Sequence, residues 1–287
     1  MRLNVTRFRM MRLNVTMFRM MRLNVKKIWQ LLTGGEMKAL LKQYADYRTK
    51  ELSYATVQDF SDSIDNFPSI CGLNGDLKNV QRPWIIKAII ANLPPSAKLL
   101  EIGGGEPIVA GILANMGYDV TIIDPYDGTG NGPTEYDYFK EKYKNIKFIR
   151  EYFTKDQQLL QNKKFDCIYS ISVLEHVPEE NIEGLFDACK SHIKDSGVFI
   201  HAIDHVLLGD GQQSHEQKLS LMLKQLKLDD QLDQLFKDIR DDVEAYYLSA
   251  EGHLFWKGST PYRDFPFRRV VSINVCKLAN LGLHPLQ

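Results

Sequence analysis

Short apolar runs alternate with amphipathic stretches through the middle of the chain. Five runs have the length of buried strands: AKLLEI (97–102), DVTIID (119–124), IKFIR (146–150), FDCIYS (165–170) and GVFIHAI (197–203). Stretches over about 107–117 and 180–193 carry apolar residues at helical spacing. Because apolar strands alternating with helices are typical of βαβ units, the pattern predicts a parallel, doubly wound α/β sheet.

The segment before this core has a polar, helical pattern. Residues 35–71 are rich in tyrosine and end in the turn-forming sequence FPSICGLNG. Pro83 suits the first turn of a helix with an isoleucine face, and the Pro-Pro pair that follows ends that helix. We therefore expect a helical cap over 31–82 and a core over 83–207.

The segment after the core, 208–287, is predicted to be helical first and extended at its end. Ser214 and Gln217 match a capping box. An apolar stripe at helical spacing follows and predicts one or two helices that pack on the core. The stripe consists of Leu219, Met222, Leu226, Leu232, Leu235, Phe236, Ile239 and Val243. The sequences EGHLFWKG and RVVSINVCKLA, separated by an aromatic loop, predict a final pair of strands.

The first thirty residues are three copies of a decapeptide, MRLNVTRFRM, MRLNVTMFRM and MRLNVKKIWQ. This period is too short for a helical repeat unit, and each copy opens with Met. We interpret the copies as a tandem duplication or an extended start, and we expect the arm over 1–30 to be disordered. An acid-free, arginine-rich arm also suits an organelle presequence, a membrane-surface strip or a nucleic-acid arm.

Charge is divided unevenly between this arm and the rest of the chain. The 36 basic residues equal the 36 acidic ones in number, but eight basic and no acidic residues lie in 1–30. The body therefore has 36 − 8 = 28 basic against 36 acidic residues. Because phosphate backbones are bound mainly by lysine and arginine, we expect a small-molecule partner and no nucleic acid.

Cysteine spacing and hydropathy indicate the class of protein. The four cysteines are far apart and form no C-x-x-C pair, which argues against a zinc site or a disulfide framework. The longest uncharged stretch of the central region, 107–118, is about half of what a spanning helix needs, and no apolar signal stretch opens the chain. We therefore expect a cytoplasmic protein without a membrane span.

The strongest chemical signal is the sequence LLEIGGGEPIVAGILANMGYDVTIID. A predicted strand runs into Gly103, Gly104 and Gly105, a helix follows, and a second strand ends on Asp124, 21 residues after Gly103. Glycine lets the backbone turn tightly and lie against a ligand, and a carboxylate at that position accepts both hydroxyls of a ribose. The pattern predicts a nucleoside cofactor at the carboxyl ends of the strands.

The residues around the glycines distinguish between two cofactors. A dinucleotide motif, G-x-G-x-x-G, needs a glycine where this chain has Ile108, and Glu106 would repel a pyrophosphate at the helix N-terminus. Glu101, two residues before the first glycine, suits a ligand with a positive charge. S-adenosylmethionine has a ribose, no phosphate, a sulfonium and an ammonium group.

These motifs resemble those of the class I S-adenosylmethionine-dependent methyltransferases over roughly residues 80–205. The resemblance lies in EIGGGEP, in the ribose acid Asp124, and in FDCIYSISVLEHV around the fourth strand. The last stretch is similar to the methyltransferases of ubiquinone and menaquinone biosynthesis and to many small-molecule O-, N- and C-methyltransferases. The resemblance implies a Rossmann-like fold with a mostly parallel seven-stranded sheet, and methyl transfer to a small-molecule acceptor.

The resemblance also implies contacts with the methionine and ribose parts of S-adenosylmethionine. Gly103 and Gly105 would pass under the methionine part, Glu101 would reach its amino group through the loop or a water, and Asp124 would hold the ribose. One departure from the family pattern is Pro107, which stands where a third glycine is common.

The remaining implied contacts concern the adenine and the far side of the methionine. Pro125 or Tyr126 would pack on the adenine, and the backbone at Ser170 and Ile171 would line the methionine side. A second departure from the family pattern is that Glu151 is the only acid after the third strand for the adenine amino group.

Candidate bases follow the fourth and fifth strands. Methyl transfer is an in-line displacement at carbon, so the enzyme aligns the acceptor and, for a hydroxyl or an acidic C–H, removes a proton. His176 follows the fourth strand, in a Glu-His pair that is common in the family whatever the acceptor. His201 and His205 lie in and just after the fifth strand with Asp204 beside them. We predict His201, His205 and His176 as catalytic candidates.

Other functions agree less well with the same residues. The small-RNA 2′-O-methyltransferases of this superfamily bind a metal through E-x-x-E-H, but the first glutamate is Ser172 here, so we expect no metal. The [DN]-P-P-[YF] motif of amino-methylating DNA enzymes is replaced by SISV. The alternatives are a nicotinamide-dependent oxidoreductase, which Ile108 and Glu106 disfavour, and a catalytically inactive cofactor-binding protein that acts through the arm.

Overall fold

The computed structural model describes residues 34–129, 132–257 and 268–279, which contain a seven-stranded sheet. Its strands are β1 Leu52–Tyr54, β2 Lys98–Ile102, β3 Asp119–Ile123, β4 Lys147–Ile149, β5 Phe165–Ile171, β6 Ile193–Leu208 and β7 Arg269–Leu278. The strand order is β1-β7-β6-β5-β2-β3-β4. The five strands from β6 to β4 are parallel, and β7 is antiparallel to both of its neighbours. The predicted mostly parallel, seven-stranded sheet is confirmed.

Helices cover both faces of this sheet. They are α1 Gly34–Gln43, α2 Val57–Asn66, α3 Lys78–Asn92, α4 Ile108–Asn115, α5 Tyr136–Lys142, α6 Glu179–His192, α7 Gln212–Gln225, α8 Leu232–Asp241 and α9 Ala250–Lys257. Side chains of α1, α3, α4 and α5 share one apolar core with the sheet, and those of α6, α7 and α8 share the other. The parallel strands are therefore apolar on both faces, as their continuous runs predict.

The central strands begin and end close to the predicted positions, with one difference in length. The run GVFIHAI lies within β6, which continues to Leu208. Its antiparallel partner β7 pairs with it from Val198 to Leu208, so the backbone stays extended beyond the end of the apolar run. The predicted end of this strand is therefore too early.

The edge of the sheet differs from the prediction at both ends of the chain. The predicted cap contains β1, a three-residue strand that pairs with β7 through Leu52 and Val275. The first seven residues of EGHLFWKG, 251–257, lie in the helix α9 and not in a strand, so the described residues hold one C-terminal strand where we predicted a pair. Side-chain pattern gave no signal for β1 because a strand of this length is defined by its partner.

Helix α3 begins at Lys78, five residues before the proline that was expected in its first turn. Pro83 has no backbone N–H, so the carbonyl of Asn79 loses its helical partner. The thiol of Cys71 donates to that carbonyl at 3.2 Å and replaces the missing bond. The helix therefore carries residues 78–82, which reach the carboxyl edge of the sheet.

Two further expectations concern the ends of the chain. Helix α7 begins at Gln212 after a left-handed Gly211, so Ser214 lies inside the first turn and the predicted capping box is wrong. Every residue of the predicted apolar stripe is buried except Val243, which is 93% exposed.

The decapeptide arm lies outside the described residues. No helix within the described residues is long and apolar enough to cross a membrane.

Candidate active site

A cavity of about 1320 Å³ lies at the carboxyl ends of β2, β3, β5 and β6. Ligands of open α/β sheets bind at this edge, where the strand order reverses on either side of β2. The predicted cofactor contacts that line it are Glu101, Gly103, Gly104, Gly105, Asp124, Pro125 and Ile171. The structure therefore brings together seven of the nine predicted contacts.

The glycine loop, residues 103–105, needs its glycines for two different reasons. Gly103 and Gly105 have φ values of +65° and +48°, a region that side chains disfavour. A Cβ on Gly104 would meet the Ile122 side chain at 2.5 Å, and one on Gly103 would meet Val173 at 2.7 Å. The loop therefore needs glycine both for its left-handed backbone angles and for its close contacts with Ile122 and Val173.

Asp124 connects this loop to the end of β3. One carboxylate oxygen accepts the N–H of Gly105 at 3.0 Å, and the other accepts the N–H of Tyr126 at 2.7 Å. Burial raises the pKa of Asp124 from its ordinary value, and these two hydrogen bonds oppose the rise. Each oxygen has room for a second hydrogen bond, so both can accept a donor from a ligand in the cavity.

Glu101, on β2, is a second acid in the wall of the cavity. It is 3% exposed and accepts a hydrogen bond from the Tyr169 hydroxyl at 3.1 Å. Burial raises the pKa of Glu101 to about 8, while that hydrogen bond and the positive charges of Arg82 and Lys78 oppose the rise. A cationic ligand group would restore its ionised form, because opposite charge favours the charged state.

Lys78 and Arg82 line the same cavity and were missed in the sequence. They are four residues apart on α3 and therefore share one face of the helix. The Lys78 ammonium donates to the carbonyl of Ile171 at 3.4 Å. Two basic residues four positions apart, in the segment before the first core strand, could have indicated this pair in the sequence. They were missed because the helix was predicted to begin at Pro83, after both of them.

The wall formed by β5 and β6 carries a small polar network. Asp204 Oδ1 accepts hydrogen bonds from Gln81 Nε2 at 2.6 Å and from Ser172 Oγ at 2.8 Å. Asp204 and Ser172 line the cavity, whereas Gln81 is fully buried behind them. The network joins α3, the end of β5 and β6 at one point of the cavity wall.

Two predicted cofactor contacts lie away from the cavity. The Tyr126 ring is 1% exposed and packs against Tyr136 and Phe139, with centroids 5.6 and 6.0 Å away. Of these two residues, the structure thus places Pro125, and not Tyr126, in the wall of the cavity. Ser170 is fully buried and binds Nδ1 of His201 at 2.8 Å, so only its neighbour Ile171 reaches the cavity.

Among the three predicted bases, only His176 lines the cavity. His201 and His205 are each 1% exposed, and burial lowers the pKa of each to about 3. His201 lies between Phe186 and Phe199, and His205 stacks on Phe236 at 4.9 Å. The prediction that these two histidines act as bases is corrected, because both point into the apolar core.

The strand period explains this correction. Side chains of a strand alternate between its faces, so His201 and His205 share one face and Asp204 takes the other. The prediction assumed a strand that ends near Ile203 and a loop that turns both histidines to the ligand. Because β6 continues to Leu208, Asp204 and Val206 line the cavity instead.

The opposite rim of the cavity is formed after β3 and β4. The Tyr152 hydroxyl donates to Asp127 at 2.6 Å and lies 3.2 Å from the Thr129 hydroxyl. The hydrogen bonds that Asp127 accepts from Tyr152 and from the backbone N–H of Thr129 lower its pKa to about 2. Glu151, the acid noted for the adenine amino group, instead accepts a hydrogen bond from Gln157 at 2.7 Å and is absent from the lining.

Residues 78–257 match the methyltransferase-domain family, from the first turn of α3 to the end of α9. The chain belongs to this family. The match covers the glycine loop, Asp124, the stretch after β5 and the whole of β6. The prediction of a methyltransferase is therefore confirmed at the level of the family.

Individual relatives of this methyltransferase match a smaller part of it. An uncharacterized protein of Mycobacterium tuberculosis is 30% identical over 113 residues, which are 38% of this chain and 37% of that protein. A ubiquinone biosynthesis O-methyltransferase of Rickettsia canadensis is 30% identical over 123 residues, 42% of this chain and 49% of that enzyme. The matches thus span at most about half the length of these relatives.

Solved structures resemble the methyltransferase over more of its length but at low identity. The N-methyltransferase NodS of Bradyrhizobium japonicum, in complex with S-adenosyl-L-homocysteine, is 11% identical and has a TM-score of 0.43. The likeness covers 76% of this chain and 97% of that one. A TehB-like SAM-dependent methyltransferase of Corynebacterium glutamicum is 14% identical, with a TM-score of 0.41 and 77% and 98% coverage.

Proposed function

We propose that this methyltransferase binds S-adenosylmethionine along the glycine loop and moves its methyl group to a small molecule in the same cavity. The observation that carries the proposal is the position of Asp124. Asp124 lines the cavity, its two oxygens accept backbone N–H groups at 3.0 and 2.7 Å, and each oxygen can accept one more hydrogen bond. A vicinal diol of a ribose is the ligand group that matches two such oxygens.

The charged residues of the cavity suit the methionine part of the cofactor. We assign its ammonium group to Glu101, whose raised pKa falls when a cation lies beside it. We assign its carboxylate to Lys78 and Arg82, the basic pair of α3. Oppositely charged groups in the wall of one cavity would therefore fix the direction in which the amino acid lies.

The adenine would lie on the opposite side, between Pro125 and the rim that contains Thr129 and Tyr152. A nicotinamide dinucleotide suits the cavity less well. Glu106, at the entrance to α4, lines the cavity beside the glycine loop and would face a pyrophosphate. Two negative groups in a partly buried cavity repel each other strongly.

The bound sulfonium supplies an activated methyl group, and the protein has to align the acceptor with it and exclude water. The cap residues Asp76 and Leu77 and the later residues Leu248 and Arg268 extend the cavity beyond the cofactor half. We propose that these two segments enclose the acceptor. A side chain in the wall of the cavity would accept a proton from the methyl acceptor. Of the three predicted histidines, only His176 lines the cavity.

A thermal-shift comparison of S-adenosylmethionine, S-adenosylhomocysteine and NAD tests this proposal. A ligand present at about 100 times its Kd stabilises the folded state by about 2.7 kcal/mol, which corresponds to roughly 5 °C or more in Tm for a domain of this size. We expect that shift with the two adenosyl compounds and no shift with NAD. A shift with NAD alone, or with none of the three, would contradict the proposal.

A further inference from the structure

Glu175 is a buried acid in the wall of the cavity, and its carboxyl group forms no hydrogen bond within the part of the chain that the structure describes. It lies in the 3-10 turn Leu174–His176 that follows β5, and it is 6% exposed. Neither carboxylate oxygen has a hydrogen bond of good geometry from the described residues. Burial raises the pKa of Glu175 well above its ordinary value, and the nearby backbone N–H groups of Glu175 and Asp204 oppose the rise only in part. Buried carboxyl groups are almost always hydrogen-bonded, so Glu175 lacks a donor that a ligand can supply.

Asp204 presents a second unused oxygen to the same part of the cavity. Its Oδ1 already accepts hydrogen bonds from Gln81 and Ser172, which fix the position of the carboxylate. No hydrogen bond from the described residues reaches Oδ2. A carboxylate held by one oxygen with the other one open is oriented for a ligand.

His215 adds a third acceptor. Its Nδ1 lies 3.2 Å from the backbone carbonyl of Asp204, and because a carbonyl only accepts, Nδ1 must carry the proton. Burial lowers the pKa of His215, so the ring is neutral near pH 7 and Nε2 accepts hydrogen bonds. We call Glu175, Asp204 and His215, all of which line the cavity, the acidic subsite.

The acidic subsite favours a ligand with positive charge and several donors. The negative charge of Asp204 is close enough to Glu175 to raise its pKa further, beyond the larger effect of burial. Lys78 opposes this but forms no ion pair with either acid among the described residues. A single hydroxyl would satisfy one acceptor, whereas an ammonium group can donate to all three and also offsets the negative charge.

We propose that the acidic subsite binds the amino group of the methyl acceptor, which makes this enzyme an amine N-methyltransferase. The proposal rests on the proposed function, because the methyl donor must lie in the adjoining half of the cavity. It is carried by the unpartnered carboxyl group of Glu175 together with the open oxygen of Asp204 and the neutral ring of His215.

The transfer step balances with groups that are present. The acceptor enters as R–NH3⁺ and gives one proton to the Asp204 carboxylate, which leaves R–NH2 with a free electron pair. That pair forms the N–CH3 bond while the bond between carbon and sulfur breaks and its electrons stay on sulfur. The products are R–NH2⁺–CH3 and a neutral thioether, so the positive charge moves from sulfur to the product nitrogen.

Calorimetric titration with S-adenosylhomocysteine and with sinefungin tests the subsite directly. Sinefungin carries an amine-bearing carbon in place of the methylsulfonium, so it places an ammonium group at the position of the transferred methyl group, directed toward the acceptor side of the cavity. We expect the unaltered protein to bind sinefungin about 10-fold or more tightly than S-adenosylhomocysteine, the gain that a charge-assisted hydrogen bond gives. In Glu175→Gln and Asp204→Asn we expect this preference to fall below about 3-fold.

Asp119→Asn is the matched control, because it removes the same charge at the opposite end of the sheet, where Asp119 pairs with the exposed Lys147. It should leave both affinities unchanged. Equal binding of the two compounds by the unaltered protein would overturn the subsite without any variant, even if both bind well. A loss of S-adenosylhomocysteine affinity in Glu175→Gln would also overturn it, because Glu175 would then hold the cofactor. Failure of the unaltered protein to bind S-adenosylhomocysteine would instead contradict the proposed function.

Discussion

Two carboxyl groups, of the buried Glu101 and the half-buried Asp124, lie at the ends of adjacent strands, and their surroundings differ. Asp124 accepts two backbone N–H groups, whereas Glu101 accepts only the hydroxyl of Tyr169. Burial consequently raises the pKa of Glu101 to about 8. Without a ligand, an ionised Glu101 destabilises the fold, which is common for residues whose partner arrives with the substrate.

The pH dependence of stability should reveal this cost. Because the folded pKa of Glu101 lies above its unfolded value of 4.5, the protonated form is favoured by folding. Its stabilising contribution is complete below about pH 4.5 and is lost as pH rises through 8. We expect Glu101→Gln to melt about 4 °C or more above the unaltered protein at pH 8.5 and at the same temperature at pH 4.5. Equal melting at both pH values would contradict the assignment.

The glycine loop permits a second test at a single residue. Alanine at position 103 would force φ +65° on a side-chain residue and place a Cβ 2.7 Å from Val173. We expect Gly103→Ala to lose about 1–3 kcal/mol of unfolding free energy from backbone strain alone, measured by urea denaturation. Gly184→Ala is the control. Its Cβ would meet nothing within 4 Å on α6, so it should gain about 0.5–1 kcal/mol. Equal effects would refute the strain argument.

At the scale of elements, a buried ion pair ties α1, α2 and α3 together. The Lys87 ammonium, on α3, lies 2.8 Å from Asp62 of α2 and is 2% exposed. The hydroxyl of Tyr44, which follows α1, donates to the same carboxylate at 3.0 Å, and the ring of Tyr47 lies 5.1 Å from the ammonium. One charged side chain thus positions the helical part of the cap against the helix that carries Lys78 and Arg82.

Removing this ammonium should weaken the attachment of the cap. Lys87→Met would leave Asp62 and Asp59 without their buried partner, and we expect a loss of about 3 kcal/mol in unfolding free energy. Lys147→Met breaks a pair in which both side chains are more than a third exposed, so it should cost under about 1 kcal/mol. Denaturant titration of the two variants checks the difference. A loss for Lys87→Met as small as for Lys147→Met would contradict the role of the pair.

The central strands and helices could be predicted because each one follows from the apolar pattern within its own segment. A run such as DVTIID can only be buried between two helical layers, and it becomes β3 with its last residue, Asp124, at the cavity edge. The position of the histidines depended instead on where β6 ends. That end is set by the pairing of Leu208 with Arg269 of β7, which lies far outside the run GVFIHAI in the sequence.

At the scale of the whole molecule, the proposed cofactor and acceptor halves of the cavity differ in how far apart their residues lie in the sequence. The cofactor half follows from one continuous stretch, with Gly103 and Asp124 in adjacent βα turns. The acidic subsite joins residues far apart in sequence, and its supporting bond from Gln81 to Asp204 spans 123 positions. No spacing rule connects such residues. The residues proposed for the cofactor could therefore be predicted from the sequence, whereas the combination proposed for the acceptor could not.

The net charge of zero is the sum of a basic arm and an acidic body, since residues 1–30 contain eight basic and no acidic residues. All seven strands and the cavity lie within 34–279. We therefore expect deletion of residues 1–30 to leave the affinity for S-adenosylmethionine within about 2-fold, measured by calorimetry. A loss of 10-fold or more would assign the arm a part in the site and would contradict the account.

The affinity of Asp124→Ala for S-adenosylmethionine tests the central claim most directly. A net loss of about 1.5–3 kcal/mol, the contribution of one charge-assisted hydrogen bond to the ribose, predicts a Kd raised by roughly 10-fold to over 100-fold in a calorimetric titration. Asp119→Ala, at the other end of the same strand, should bind as the unaltered protein does. An unchanged Kd in a folded Asp124→Ala would contradict the assignment of the cavity to this cofactor.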